Sequence, residues 1–125
     1  MAVSKLWIAV IDDDAAVRNS LKFSLEVDGY MVRTFADADE FLQANDAANC
    51  QCLIVDQHMP RQTGLQLVAA LRRRGVATPV LLMSGRVTPA LTRQAMDAGI
   101  PIIEKPFVGN SLIDFIRAAV GGRSN

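Results

Sequence analysis

Short apolar runs alternate along the chain with longer stretches in which apolar residues recur every three or four positions. Leu6 to Ile11, Cys52 to Val55, Val80 to Met83 and Ile100 to Ile103 are continuous rather than alternating, the pattern of a strand covered on both faces. Tyr30 to Phe35 is more mixed, as expected of an edge strand. Between the runs, Val17, Leu21 and Leu25 share a helical face that starts behind Asp14 as cap and stops at Gly29, with Arg18 and Lys22 on the exposed side. Asp37 with Glu40, and Thr63 with Gln66, have capping-box spacing; the first precedes Phe41 and Leu42, the second Leu65, Val68 and Leu71. Arg72, Arg73 and Arg74 close that second helix before Gly75, where positive charge complements the carbonyl end of the dipole. Thr88 and Pro89 open a helix carrying Leu91 and Ala95 and ending at Gly99. A last helix starts at Gly109 or Asn110 and runs through Leu112, Ile116 and Ala119 to Gly121. Met83 and Met96 read as core filling.

Strand followed by helix, five times over, predicts an α/β domain with right-handed crossovers and a doubly wound, mostly parallel sheet covered by helices on both faces. The 125 residues suffice for one such domain and leave no room for a second. A 50% apolar fraction supports a real core. Thirteen basic residues balance thirteen acidic ones, which argues against nucleic-acid binding driven by phosphate neutralisation. No apolar run approaches the ~18 residues of a membrane span, and no signal-peptide pattern is present. Cys50 and Cys52 are too few for a disulfide framework and are expected as reduced thiols on opposite faces of a strand. With the lone His58 they fall short of a zinc set.

Function must therefore sit in a local site, and in a doubly wound sheet that site lies beyond the carboxyl ends of the strands. The residues there are Asp12, Asp13 and Asp14 after the first run, Asp56 after the third, Ser84 and Gly85 after the fourth, and Lys105 and Pro106 after the fifth. Carboxylates gathered at one mouth repel each other unless a cation compensates, and Mg²⁺ suits an all-oxygen site. A lysine and a hydroxyl facing them add what an incoming phosphoryl group requires.

Val10-Ile11-Asp12-Asp13-Asp14 with Arg18, Leu53-Ile54-Val55-Asp56 with Met59-Pro60, Met83-Ser84-Gly85, and Glu104-Lys105-Pro106-Phe107 together resemble a bacterial two-component response-regulator receiver domain. The resemblance covers nearly the whole chain, in order and spacing, and treats residues 1–125 as one receiver without an output domain. It implies a flavodoxin-like five-stranded parallel sheet of order 2-1-3-4-5, an order for which the switch-point rule is already established. It implies Asp56 as phosphoacceptor from a sensor histidine kinase or phosphotransfer protein, with Lys105 and Ser84 as its catalytic companions. Mg²⁺ or Mn²⁺ would be held by Asp12, Asp13, Asp56 and the backbone carbonyl of His58, while Asp14 serves as helix cap. Lys105-Pro106 is expected as a cis peptide. Phosphorylation would bias a two-state face of helix four, strand five and helix five, which is also a candidate homodimer face. The implied setting is cytoplasmic, with an unidentified downstream protein, no direct DNA contact and no membrane.

Three positions depart from the family pattern or tune it. Ile102 stands where receivers commonly carry a Tyr or Phe switch ring, so output is expected through helix four and its preceding loop instead. His58 and Arg86, two residues beyond the acceptor and the hydroxyl, are expected to shield the phosphoryl group from water. The competing enzyme reading is a haloacid-dehalogenase-type phosphohydrolase, with Asp12 as nucleophile and Asp14 as acid; no later acidic metal motif accompanies it. A receiver that binds partners without phosphate is the third reading, disfavoured because every phosphorylation residue is present.

Overall fold

The chain runs β1 (Trp7–Ile11), α1 (Ala15–Val27), β2 (Val32–Phe35), α2 (Ala38–Ala44), a 3-10 turn (Ala47–Asn49), β3 (Cys50–Asp56), α3 (Gly64–Arg73), β4 (Val80–Ser84), α4 (Pro89–Asp97), β5 (Ile102–Glu104) and α5 (Ser111–Gly121). This computed structural model describes residues 7–44, 47–105 and 111–121. All four strand pairings are parallel, in the order β2-β1-β3-β4-β5. The chain thus departs from β1 to one side for β2 and to the other for β3, which makes the cleft above β1 and β3 the topological switch point.

Two apolar layers explain why the central runs are continuous. Ala9, Ile11, Leu53, Val55, Val80 and Leu82 face α2, α3 and α4 through Phe41, Leu67, Leu71, Leu91 and Ala95. The alternate residues Ile8, Val10, Ile54, Leu81 and Met83 face α1 and α5 through Leu21, Leu25, Leu112 and Ile116. Both faces of the central strands β1, β3 and β4 are buried, so alternation disappears there. Each large aliphatic residue removed from water here contributes about 1.5–3 kcal/mol.

The expected caps hold. Asp14 accepts from the Ala16 N–H at 2.9 Å, Thr88 from the Leu91 N–H at 3.1 Å, and Thr63 with Gln66 closes both arms of its capping box. Asp37 accepts from the Glu40 N–H, but the Glu40 carboxylate reaches back to the Ala36 N–H instead of the cap residue's own. Gly29, Gly75 and Gly99 end α1, α3 and α4 at positive φ, a conformation glycine adopts without a steric penalty.

Several expectations need correction. Met96 is 73% exposed, because it lies one position, about 100° of helix, beyond the buried Ala95. Arg18 is half-buried rather than exposed, and its Nη1 donates to the Asp12 carbonyl oxygen at 2.7 Å. Strand five begins at Ile102 rather than Ile100: Pro101 offers a carbonyl to the Leu82 N–H but has no N–H of its own for the ladder. Cys50 and Cys52 do occupy opposite layers, yet alternation of period two would put them on the same face. A bulge separates them: Trp7 pairs with Cys50 and Ile8 with Cys52, leaving Gln51 as the extra residue. The start of the last helix at Gly109 or Asn110 and the Lys105-Pro106 peptide lie outside the described residues.

Candidate functional site

Four strand ends deliver the site. Beyond β1 the Asp12 N–H donates to the Phe35 carbonyl at 3.1 Å, beyond β3 the Gln57 N–H donates to Met83 at 2.8 Å, and beyond β5 the Lys105 N–H donates to Ser84 at 2.8 Å. The sheet ladder therefore extends one step past the apolar runs and fixes the backbone of the polar residues that follow. Asp12 is 0% exposed, Asp56 4% and Ser84 0%. Asp13 is exposed at the rim.

Oxygens of Asp12, Asp13 and Asp56 lie within 4.8 Å of one another. Lys105 Nζ lies 2.6 Å from Asp12 Oδ2 and 3.5 Å from Asp56 Oδ2. The other oxygen of Asp12 accepts from the Asp14 N–H at 2.9 Å. Asp56 Oδ1 is buried and has no hydrogen-bond partner among the described residues. Burial, and then the negative charge of Asp12, push the Asp56 carboxyl above the usual carboxylate range, against the opposing pull of Lys105 and the His58 N–H. Burial pulls the Lys105 ammonium down, but its hydrogen bond to Asp12 and the charges of Asp56 and Asp12 more than offset this, so its pKa lies above the ordinary lysine value. Three hard oxygen donors, one of them buried without a partner, fit Mg²⁺ or Mn²⁺ and not a thiolate-loving ion.

Of the remaining candidates, Ser84, Arg86 and His58 lie at or just beyond the carboxyl ends of β4 and β3, whereas Ile102 stands at the amino end of β5. Ser84 Oγ donates to the Arg86 carbonyl at 2.8 Å and accepts from the Arg86 N–H at 3.1 Å, so its hydroxyl is engaged by its own loop. Arg86 and His58 are exposed, and Ile102 is half-buried in β5, paired with Leu82.

Three residues not marked by any sequence motif shape the site. Gln57, 9% exposed, accepts from the Gly64 N–H through its backbone carbonyl and from the Leu65 N–H through Oε1, and so seats the start of α3 against the acceptor strand. At Gly64 a Cβ would meet Asp56 O at 2.8 Å and Leu82 Cδ1 at 2.7 Å. Glycine at a first helical turn, where it is a poor helix former, was the available signal for that close approach. Arg61, at φ 68°, pairs through Nε with Asp39 and through Nη2 with Asp37, each at 3.0 Å. No periodicity reveals ion pairs across 22 and 24 residues.

Residues 8–117 match the family described as the response regulator receiver domain. The transcriptional regulatory protein FixJ of Bradyrhizobium diazoefficiens is 37% identical over 118 residues, covering 94% of this chain and 58% of that protein. The crystal structure of FixJ-N superposes with a TM-score of 0.84 at 30% identity, covering 98% of this chain and 99% of that one. The chemotaxis protein CheY4 of Vibrio cholerae gives a TM-score of 0.81 at 26% identity, covering 91% of this chain and 98% of that one. The chain spans about half to three-fifths of the length of the curated relatives it matches. The haloacid-dehalogenase reading finds no support in these relationships. With the sheet order, the strand-end acids and the lysine all in the expected places, the chain belongs to the response regulator receiver domain family.

Proposed function

We propose that Asp56 accepts a phosphoryl group from the phosphohistidine of a sensor kinase or phosphotransfer protein, as the input step of two-component signalling. The observation that carries this is the buried Oδ1 of Asp56, without a hydrogen-bond partner among the described residues, at the convergence of Asp12, Asp13 and Lys105. A carboxylate oxygen of Asp56 attacks phosphorus, the P–N bond breaks with its electron pair going to nitrogen, and the donor imidazole, already protonated on its other nitrogen, departs as the neutral ring. Asp12, Asp13, Asp56 and the His58 backbone carbonyl would hold Mg²⁺ or Mn²⁺, which when bound neutralises the acids and the charge of the transferring group. Lys105, already within reach of both Asp12 and Asp56, exchanges part of its pairing for a phosphoryl oxygen. In self-dephosphorylation water attacks phosphorus, the P–O bond to Asp56 breaks with its electron pair returning to the carboxylate, and inorganic phosphate leaves while a proton of the water passes to solvent. A cytoplasmic setting follows from that donor, and no helix among the described residues is long and apolar enough to cross a membrane.

Output runs through the loop before α4. Turning Ser84 Oγ towards a phosphoryl oxygen breaks both of its bonds to Arg86 and frees residues 85–88, which lead directly into the Thr88 cap of α4. Ile102 cannot serve as a swinging aromatic ring. The face of α4, β5 and α5 is the surface this displacement would change for a partner, or for a second copy.

The test is incubation with acetyl phosphate and Mg²⁺ followed by intact mass. One phosphoryl group is expected, located at Asp56 by peptide mapping, absent after chelation, and accompanied by altered amide exchange across residues 84–104. An adduct elsewhere, or none, sinks the reading. His58 and Arg86 are exposed and, two residues beyond the acceptor and the hydroxyl, would flank the approach of water. Replacing both with alanine is expected to shorten the adduct's lifetime about fivefold, the worth of roughly one hydrogen bond. An unchanged decay rate, followed by mass, would remove their shielding role.

A further inference from the structure

The loop that leaves Asp56 is held by one side chain in an unfavourable backbone conformation. Arg61, at φ 68°, is the single non-glycine residue at positive φ among the described residues. Glycine or asparagine would occupy such a position with less strain. What arginine adds there is a planar fork, and both arms are used: Nε on Asp39 and Nη2 on Asp37. Its anchor is itself fixed, because Asp37 caps α2 through the Glu40 N–H while Glu40 holds the Ala36 N–H.

We infer that Arg61 is a positioning residue, a latch between the loop after Asp56 and the start of α2 that sets the shape in which His58 faces the acidic pocket. The contacts close a ring around one flank of that pocket. Asp12 is bonded through its N–H to Phe35; Phe35 leads by Ala36 to Asp37; Asp37 holds Arg61; and Arg61 returns through Pro60 and Met59 to His58 and Asp56. Opening the ring at Arg61 removes the ties of this segment to α2 and leaves residues 58–62 held by the His58 N–H on Asp56, by Met59 packed against the core, and at the ends by the Gln57 bonds to α3 and the Thr63 cap. The consequence for metal rests on the function proposed above, since it takes the His58 carbonyl as a ligand.

The test compares the native chain with Arg61→Gly, Arg61→Lys and Asp37→Asn/Asp39→Asn. Arg61→Gly relieves the backbone and removes the fork, so the melting temperature is expected to hold while amide exchange over residues 57–63 quickens about tenfold. Mg²⁺ affinity, measured calorimetrically with the metal alone, is expected to fall about threefold to fivefold, since only one of several ligands is loosened. Arg61→Lys, which keeps charge without the fork, should recover part of both effects. The double asparagine variant should match Arg61→Gly, and combining the two should add nothing further. Native salt sensitivity of loop exchange should vanish in Arg61→Gly. Exchange and Mg²⁺ affinity within twofold of native in Arg61→Gly would overturn the latch, as would an asparagine pair that lowers affinity by the same further factor in the Arg61→Gly background as in the native one. A native chain that binds no Mg²⁺ overturns the reading of the acidic pocket instead, while loop exchange still decides whether Arg61 holds the segment.

Discussion

An Asp56→Asn protein is expected to take up no phosphoryl group and yet to unfold at a higher temperature than the native chain. The first half follows from chemistry: an amide has no anionic oxygen to attack phosphorus. The second follows from the surroundings of the carboxylate. Asp56 is buried, it shares its pocket with Asp12, and one of its oxygens is buried without a partner among the described residues. Burial first, and Asp12 second, raise its pKa, so the folded chain holds a proton on Asp56 more tightly than the unfolded chain does. Stability then falls as pH rises from the ordinary carboxylate range through that raised value, and above it the full penalty is present. Asparagine removes the charge, and its amide can donate to the neighbouring acids. A gain of about 1 kcal/mol, or roughly 3–6 °C, is the size expected when a strained functional site is relaxed. Mg²⁺ should stabilise the native chain more than the variant, since it binds the folded pocket only. Thermal unfolding at several pH values, with and without Mg²⁺, checks all three statements; an Asp56→Asn protein less stable than native at pH 7 would contradict the electrostatic account.

The same residue shows why so much of the site was legible in the sequence. Asp12, Asp56 and Ser84 each terminate an apolar run that must be a doubly covered strand, and parallel strands bring their carboxyl ends to one edge. Burial pattern alone thus gathered residues up to 93 positions apart, as the Lys105–Asp12 pair confirms. Features that depend on geometry between elements left no such trace. Gln51 carries the same local pattern whether it pairs regularly or bulges, and only its partner strand decides. Met96 reads as core from residue type, although one step of helix separates it from the buried Ala95 and turns it to solvent. Arg18, spaced as a surface residue, is drawn inward because the Asp12 carbonyl lies within its reach. Arg61 and Gly64 act through space across turns whose shape no periodicity encodes.

Gly64 supplies the other large effect, because its substitution strikes the acceptor strand directly. The backbone there is not at positive φ, so conformational freedom is not what the position requires. Space is. An alanine Cβ would sit 2.8 Å from the Asp56 carbonyl oxygen and 2.7 Å from Leu82 Cδ1. Leu82 can yield by a rotamer change, at a cost to the layer it fills. The Asp56 carbonyl belongs to β3, buried and paired on both sides, so relief must come from α3 moving outward. That movement stretches the 3.1 Å bond from the Gly64 N–H to Gln57 and the 3.0 Å bond from the Leu65 N–H to Gln57 Oε1, which together seat the loop carrying His58. Overpacking of this kind costs about 1–3 kcal/mol, while the helix-propensity gain of alanine over glycine returns at most about 1. Gly64→Ala is therefore expected to lower the melting temperature and, at temperatures where it is still folded, to slow phosphorylation by acetyl phosphate. Adding Leu82→Ala separates the two contacts: it removes the side-chain clash but leaves the carbonyl clash. The double variant should therefore regain none of the phosphorylation rate, though it relieves one source of strain. Recovery of the native rate in the double variant would show that the leucine, and not the acceptor's own backbone, enforces glycine at this position.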